Sequence, residues 1–117
     1  MKRRQAESAL GTPLPAETAD VEFHRWRPAP GIDYAIAYAR LQLSRAAALA
    51  FQDRLGLGAD AVYLATGWQV PAESAPEWWP AEPAMTLTDQ AARATDGGGW
   101  LIAGYAEPYL YLLAYET

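Results

Sequence analysis

Hydrophobic and polar positions alternate first at Val21-Glu22-Phe23-His24-Arg25-Trp26-Arg27. Val21 and Phe23 fall on one side and Glu22, His24 and Trp26 on the other, which predicts a strand that Pro28 and Pro30 terminate. The pattern then changes period. Tyr34, Tyr38, Leu41, Ala48, Phe51 and Leu55 recur at helical spacing, and Ile32, Ile36, Leu43 and Ala50 form a weaker second stripe. Asp33 near the start and Gly56 and Gly58 at the end suit the two poles of a helix. The spacing therefore predicts one long helix over 32–55, about 36 Å in length, longer than a small sheet covers. An overhang of that kind could serve as a homo-oligomer contact.

Ala61 to Thr66 is a short apolar run bounded by Asp60 and Gly67 and reads as a strand. Pro71, Pro76, Pro80 and Pro83 keep the next stretch irregular. Thr86 and Asp89 stand at capping distance ahead of a short helix expected over Thr88–Ala94. Trp100–Tyr105 and Tyr109–Tyr115, joined by Ala106-Glu107-Pro108, read as a closing β-hairpin. Both faces of its last strand are apolar, as in a central or helix-covered strand. The order β-α-β-loop-α-β-β predicts an α+β domain over residues 21–117. One long helix would pack on an antiparallel or mixed sheet of about four strands. Residues 1–20 show no period and read as a mobile N-terminal arm.

Charge sharpens the picture. The 117-residue chain carries a net charge of −5, unevenly distributed. Residues 1–57 hold eight basic and six acidic side chains, a net +2; residues 58–117 hold eight acids against Arg93 alone, a net −7. The acidic half argues against nucleic acid, whose phosphates need a basic track, and suits a basic protein partner. With no cysteine, thiolate metal sites, disulfides and cysteine nucleophiles are excluded. No apolar run approaches a membrane span, and the basic start has no apolar stretch behind it, so a cytoplasmic address is expected.

Chemistry is sparse. The only histidine, His24, lies next to Arg25 and close to Arg27 in sequence and cannot build a histidine metal cluster. Ser8, Ser44 and Ser74 sit in no nucleophile motif. Asp96-Gly97-Gly98-Gly99 precedes a strand rather than opening a helix, which makes it a turn and not a phosphate cradle. No catalytic residue, cofactor or metal is therefore expected.

The remaining feature is EWWPAEP, residues 77–83. Adjacent tryptophans point in different directions in any regular element. One ring is thus expected to plug the core, over the long helix, and the other to lie near the surface. A lid in which both pack down is the competing arrangement. The flanking prolines hold the rings at reduced entropic cost. Trp78, Trp79, Glu77 and Glu82, with Trp68 and Glu73 from the same stretch, form the candidate partner-binding set. The expected function is a non-enzymatic protein-binding domain. It would be a small acidic inhibitor, immunity-type or adaptor protein acting on a basic surface such as a nuclease or defence complex. Two alternatives are a structural subunit of a phage or secretion assembly and a small-ligand or carbohydrate enzyme using loop carboxylates.

Overall fold

A computed structural model describes all 117 residues. Its frame is a five-stranded, wholly antiparallel sheet in the order β1-β2-β5-β4-β3. The strands are β1 (Val21–Trp26), β2 (Ala35–Gln42), β3 (Thr88–Ala94), β4 (Trp100–Ala106) and β5 (Tyr109–Glu116). Four helices accompany it: α1 (Lys2–Leu10), α2 (Arg45–Arg54), α3 (Ala61–Thr66) and α4 (Pro83–Thr86). The fold is a sheet-dominated α+β domain, and no helix is long and apolar enough to cross a membrane.

The long helix expected over 32–55 does not exist. Its first half is β2, paired residue for residue with β5 from Ala35–Glu116 to Gln42–Tyr109. Its second half is α2. A strand buried on both faces needs no alternation, and Ala35 through Ala39 are all buried. With alanine at 35, 37 and 39, the larger residues Tyr34, Tyr38 and Leu41 imitate a helical stripe. The break falls at Ser44, whose hydroxyl accepts a hydrogen bond from the Ala47 N–H at 3.2 Å and starts α2 there. The oligomer contact expected along 32–55 loses its element.

Two shorter segments exchange type. Residues 61–66 are helical because Asp60 acts as an N-cap, its carboxylate accepting from the Val62 and Tyr63 N–H groups at 3.1 and 3.3 Å. Residues 88–94 form an edge strand because β4 offers a ladder, joined after an irregularity between Thr88 and Ala91 where Asp89 takes φ 53°. The outer edge of β3 is closed in turn by mutual hydrogen bonds between Gly58 and Ala92 at 3.0 and 2.8 Å.

The first twenty residues, expected as an arm, instead contain α1 and contribute to the core. Ala6 is fully buried, and Leu14 nearly so. Glu7 accepts from the Leu14 N–H at 2.8 Å, and Arg3 donates to the Pro15 carbonyl at 3.0 Å. The buried face of α1 is mostly alanine, which leaves little hydrophobic period to read.

The sheet thus has two covered faces. On one, α1 and α2 bury Ala37, Leu41, Leu101, Leu110 and Leu112 against Ala6, Leu14, Ala48 and Phe51. On the other, Ile36, Tyr38, Ile102 and Leu113 lie beneath Trp68, Trp79 and Leu87 of the proline-rich segment. The hairpin β4–β5 is the centre of both, and its connecting Glu107–Pro108 peptide bond is cis.

Candidate functional site

The second face carries the candidate set. Strand alternation directs Ile36, Tyr38, Arg40 and Gln42 of β2 to this side, with Tyr109, Tyr111, Leu113 and Tyr115 of β5 beside them. Trp79 is the ring that plugs the core, over the sheet. It is 8% exposed, its ring centre 4.8 Å from Tyr38 and 5.7 Å from Tyr111 in edge-on contacts, with Trp68 at 5.9 Å. Trp78 packs edge-on against Trp79 at 6.1 Å and stays half-buried.

Backbone and side-chain polar groups fasten this segment. Trp79 N–H bonds the Pro76 carbonyl and Ser74 N–H the Pro71 carbonyl, both at 3.0 Å, so the prolines sit in successive tight turns. The Ser74 hydroxyl is fully buried, bonded to the Tyr38 hydroxyl and donating to the Pro71 carbonyl at 2.6 Å. Burial raises the Tyr38 pKa above its ordinary value. Trp68 donates from Nε1 to Gln90 Oε1 at 3.0 Å, and Gln90 Nε2 returns bonds to the Leu87 and Ala84 carbonyls at 2.8 and 3.0 Å. Beneath them, a β-carbon at Gly104 would lie 2.7 Å from Leu87 Cβ and 3.3 Å from Trp68 Cζ2. The segment closes on bare backbone there.

Trp68, Val70, Pro71, Trp79, Pro80 and Pro83 line a shallow cleft of about 440 Å³. The Trp79 indole N–H is buried without an acceptor.

The carboxylates stand apart from this apolar packing. Glu73, Glu77 and Glu82 are all exposed and form none of the four ion pairs of the molecule. Residues 67–87 contain no basic side chain. One cation meets this segment's rings: Arg40, whose guanidinium carbon lies 5.7 Å from the centre of the Trp78 ring and 4.2 Å from that of Tyr109. The six candidates therefore divide: Trp68 and Trp79 are scaffold, while Trp78, Glu73, Glu77 and Glu82 reach the surface.

Sequence reasoning missed two arrangements. One is Arg40 against Trp78, which required knowing that 35–42 is a strand on the tryptophan side. The other is a run of rings across the opposite end of the same face. Trp26, Tyr34, Tyr115, Trp100 and Tyr63 follow one another at 6.3, 5.1, 4.2 and 5.4 Å, the last three contacts stacked. Its members come from five separate segments, so no spacing announces it.

Other groups considered for chemistry are dispersed. His24 is exposed, 6.3 Å from the Tyr38 ring. Ser44 caps α2, Ser74 is interior, and the glycines at 97–99 belong to the β3–β4 turn. No three of the histidine, aspartate and glutamate side chains gather at metal-binding distance. A two-pronged ion pair joins α2 to β3: Arg45 donates from Nε and a terminal nitrogen to the two Asp89 oxygens at 2.9 and 2.8 Å, which lowers the Asp89 pKa.

What fold and face define together is a small α+β domain presenting a proline-braced, acidic aromatic surface. Comparison of the chain with protein-family models, curated proteins and solved structures finds no match.

Proposed function

We propose that this chain is a non-enzymatic protein-binding domain, an acidic inhibitor, immunity-type or adaptor protein that engages a basic protein surface. The observation that carries the reading is the state of Glu73, Glu77 and Glu82. All three are exposed, unpaired and set on a segment without a single cation, while the buried Trp68, Trp79 and Ser74 brace that segment from below. Unpaired like charges on a braced loop repel one another and gain most from an incoming positive surface. Trp78 supplies half-buried aromatic area beside them, the type of side chain that anchors protein interfaces.

An assembly subunit of this kind would use a free arm and an overhanging helix, and residues 1–20 and 32–55 are built otherwise. The enzyme alternative has Glu77, Glu82 and His24 all exposed to solvent as its candidate groups. Neither receives comparable support.

The test is capture of partners by the tagged protein at low and high salt. Expected is one basic protein retained at low salt, released at high salt, and lost from a Glu73→Gln, Glu77→Gln, Glu82→Gln triple variant that melts like the parent. Equal retention by parent and triple variant would overturn the reading.

A further inference from the structure

Of the nine basic side chains, Lys2, Arg3, Arg25, Arg45, Arg54 and Arg93 each donate to a protein oxygen. Arg4 and Arg27 are exposed to water. Arg40 alone is half-buried and donates to nothing. Its isolation is built in. Directly across the ladder stands Glu22, the natural ion partner, but the Glu22 carboxylate is bonded to Lys2 at 2.7 Å. Arg40 instead lies 4.2 Å over Tyr109 and 5.7 Å from Trp78. Those contacts hold the guanidinium beside two rings and restrict its rotamers, while its N–H donors keep no protein acceptor.

We propose that Arg40, held by Tyr109 and Trp78, is a carboxylate-binding site, and that its occupant is an acidic side chain of the docking protein. The second clause rests on the protein-binding reading above. A planar fork of donors matches a carboxylate in two parallel hydrogen bonds. The segment that carries Trp78 also carries the exposed Glu73, Glu77 and Glu82 and no cation, and its negative field disfavours a phosphate, with its additional charge, more than a singly charged anion. A partner surface that is basic around one carboxylate satisfies Glu73, Glu77, Glu82 and Arg40 together, and that pattern fixes its register as like-signed patches would not.

The site is tested without a partner, by following the Arg40 Nε–H signal in NMR titrations with benzoate, benzamide and inorganic phosphate at constant ionic strength. Benzoate should produce a saturable shift, benzamide none, and phosphate a weaker response. The shift should be absent in Arg40→Gln and several-fold weaker in affinity in Arg40→Lys, which keeps the charge but loses the fork. Equal responses to benzoate and benzamide would reduce the site to an apolar shelf, and tighter phosphate binding would overturn the carboxylate assignment. Failure of partner capture together with a benzoate response would sink the docking reading alone. Capture that is indifferent to Arg40→Gln would sink the role of Arg40 in docking and leave that reading standing.

Discussion

The Tyr38 and Ser74 hydroxyls are hydrogen-bonded to each other in the interior, and neither residue exposes any surface. Because Ser74 spends its proton on the Pro71 carbonyl, Tyr38 is the donor to Ser74. The two truncations are then unequal. Ser74→Ala leaves a buried phenol without an acceptor and should cost about 1–3 kcal/mol, whereas Tyr38→Phe removes one bond and should cost about 0.5–1.5 kcal/mol. Urea unfolding of both variants decides it, and a larger cost for Tyr38→Phe would reverse the donor assignment. The raised Tyr38 pKa adds an alkaline signature. The folded state keeps the proton longer than the unfolded chain, so this increment is complete below the unfolded value of about 10 and declines as pH rises through the raised one. Tyr38→Phe should lack that decline.

The adjacent tryptophans should separate cleanly on substitution. Trp79→Ala empties a site packed by Tyr38, Trp68 and Tyr111 and should cost about 3–5 kcal/mol, a large share of a domain's usual stability. Trp79→Phe should cost much less, because the indole N–H it removes has no partner. Trp78→Ala should leave the melting temperature close to the parent and reduce partner capture. Unfolding by Trp78→Ala would make both rings structural.

Asp89 should govern a small acid limb. Its pKa is lowered by the bond to Arg45, so its stabilisation is present above the unfolded value of about 3.9 and is lost as pH falls through the lowered one. Asn tolerates the positive φ at this position. Asp89→Asn should therefore be less stable than the parent near neutrality and equal to it in strong acid, a convergence that denaturant midpoints across pH would reveal. A constant gap at all pH values would place the effect in the backbone rather than the charge.

Removing residues 1–14 should destabilise the domain rather than trim it. Burial of Leu14 alone contributes about 1.5–3 kcal/mol, with Ala6 and the α1 contacts to β1 in addition. Thermal unfolding should shift down by several degrees. An unchanged transition would mean that α1 contributes nothing to the fold.

Much of the candidate site was legible because its signals are local. The prolines at 71, 76, 80 and 83 announce an irregular segment, and no regular element can bury both Trp78 and Trp79 without being covered on two sides. Strand β1 and the β4–β5 hairpin were legible for a related reason: their β-branched and aromatic residues are bounded by prolines, glycines or a short connection. Elsewhere alanine blurred the pattern. AIAYARLQ, AVYLAT and TDQAARA have too little contrast between apolar and polar positions to carry a period, so helical spacing misled at the first, an apolar run at the second and a capping distance at the third. Ser44 and Asp60 were the better local evidence, since a capping side chain acts on the next three amides whatever follows.

By itself the sequence determined the closing hairpin, the braced proline segment, the acidic second half and the absence of thiol chemistry. These follow from φ restriction, side-chain charge and residue type, which act within a few positions. The tertiary structure alone decided that residues 35–42 join the sheet as its second strand, that Trp79 rather than Trp78 is buried, and that Arg40 meets Tyr109 instead of Glu22. Those outcomes depend on which surfaces distant segments offer: Tyr38 from β2 and Tyr111 from β5 form the platform under Trp79, and Lys2 from α1 claims the carboxylate that Arg40 would otherwise pair with.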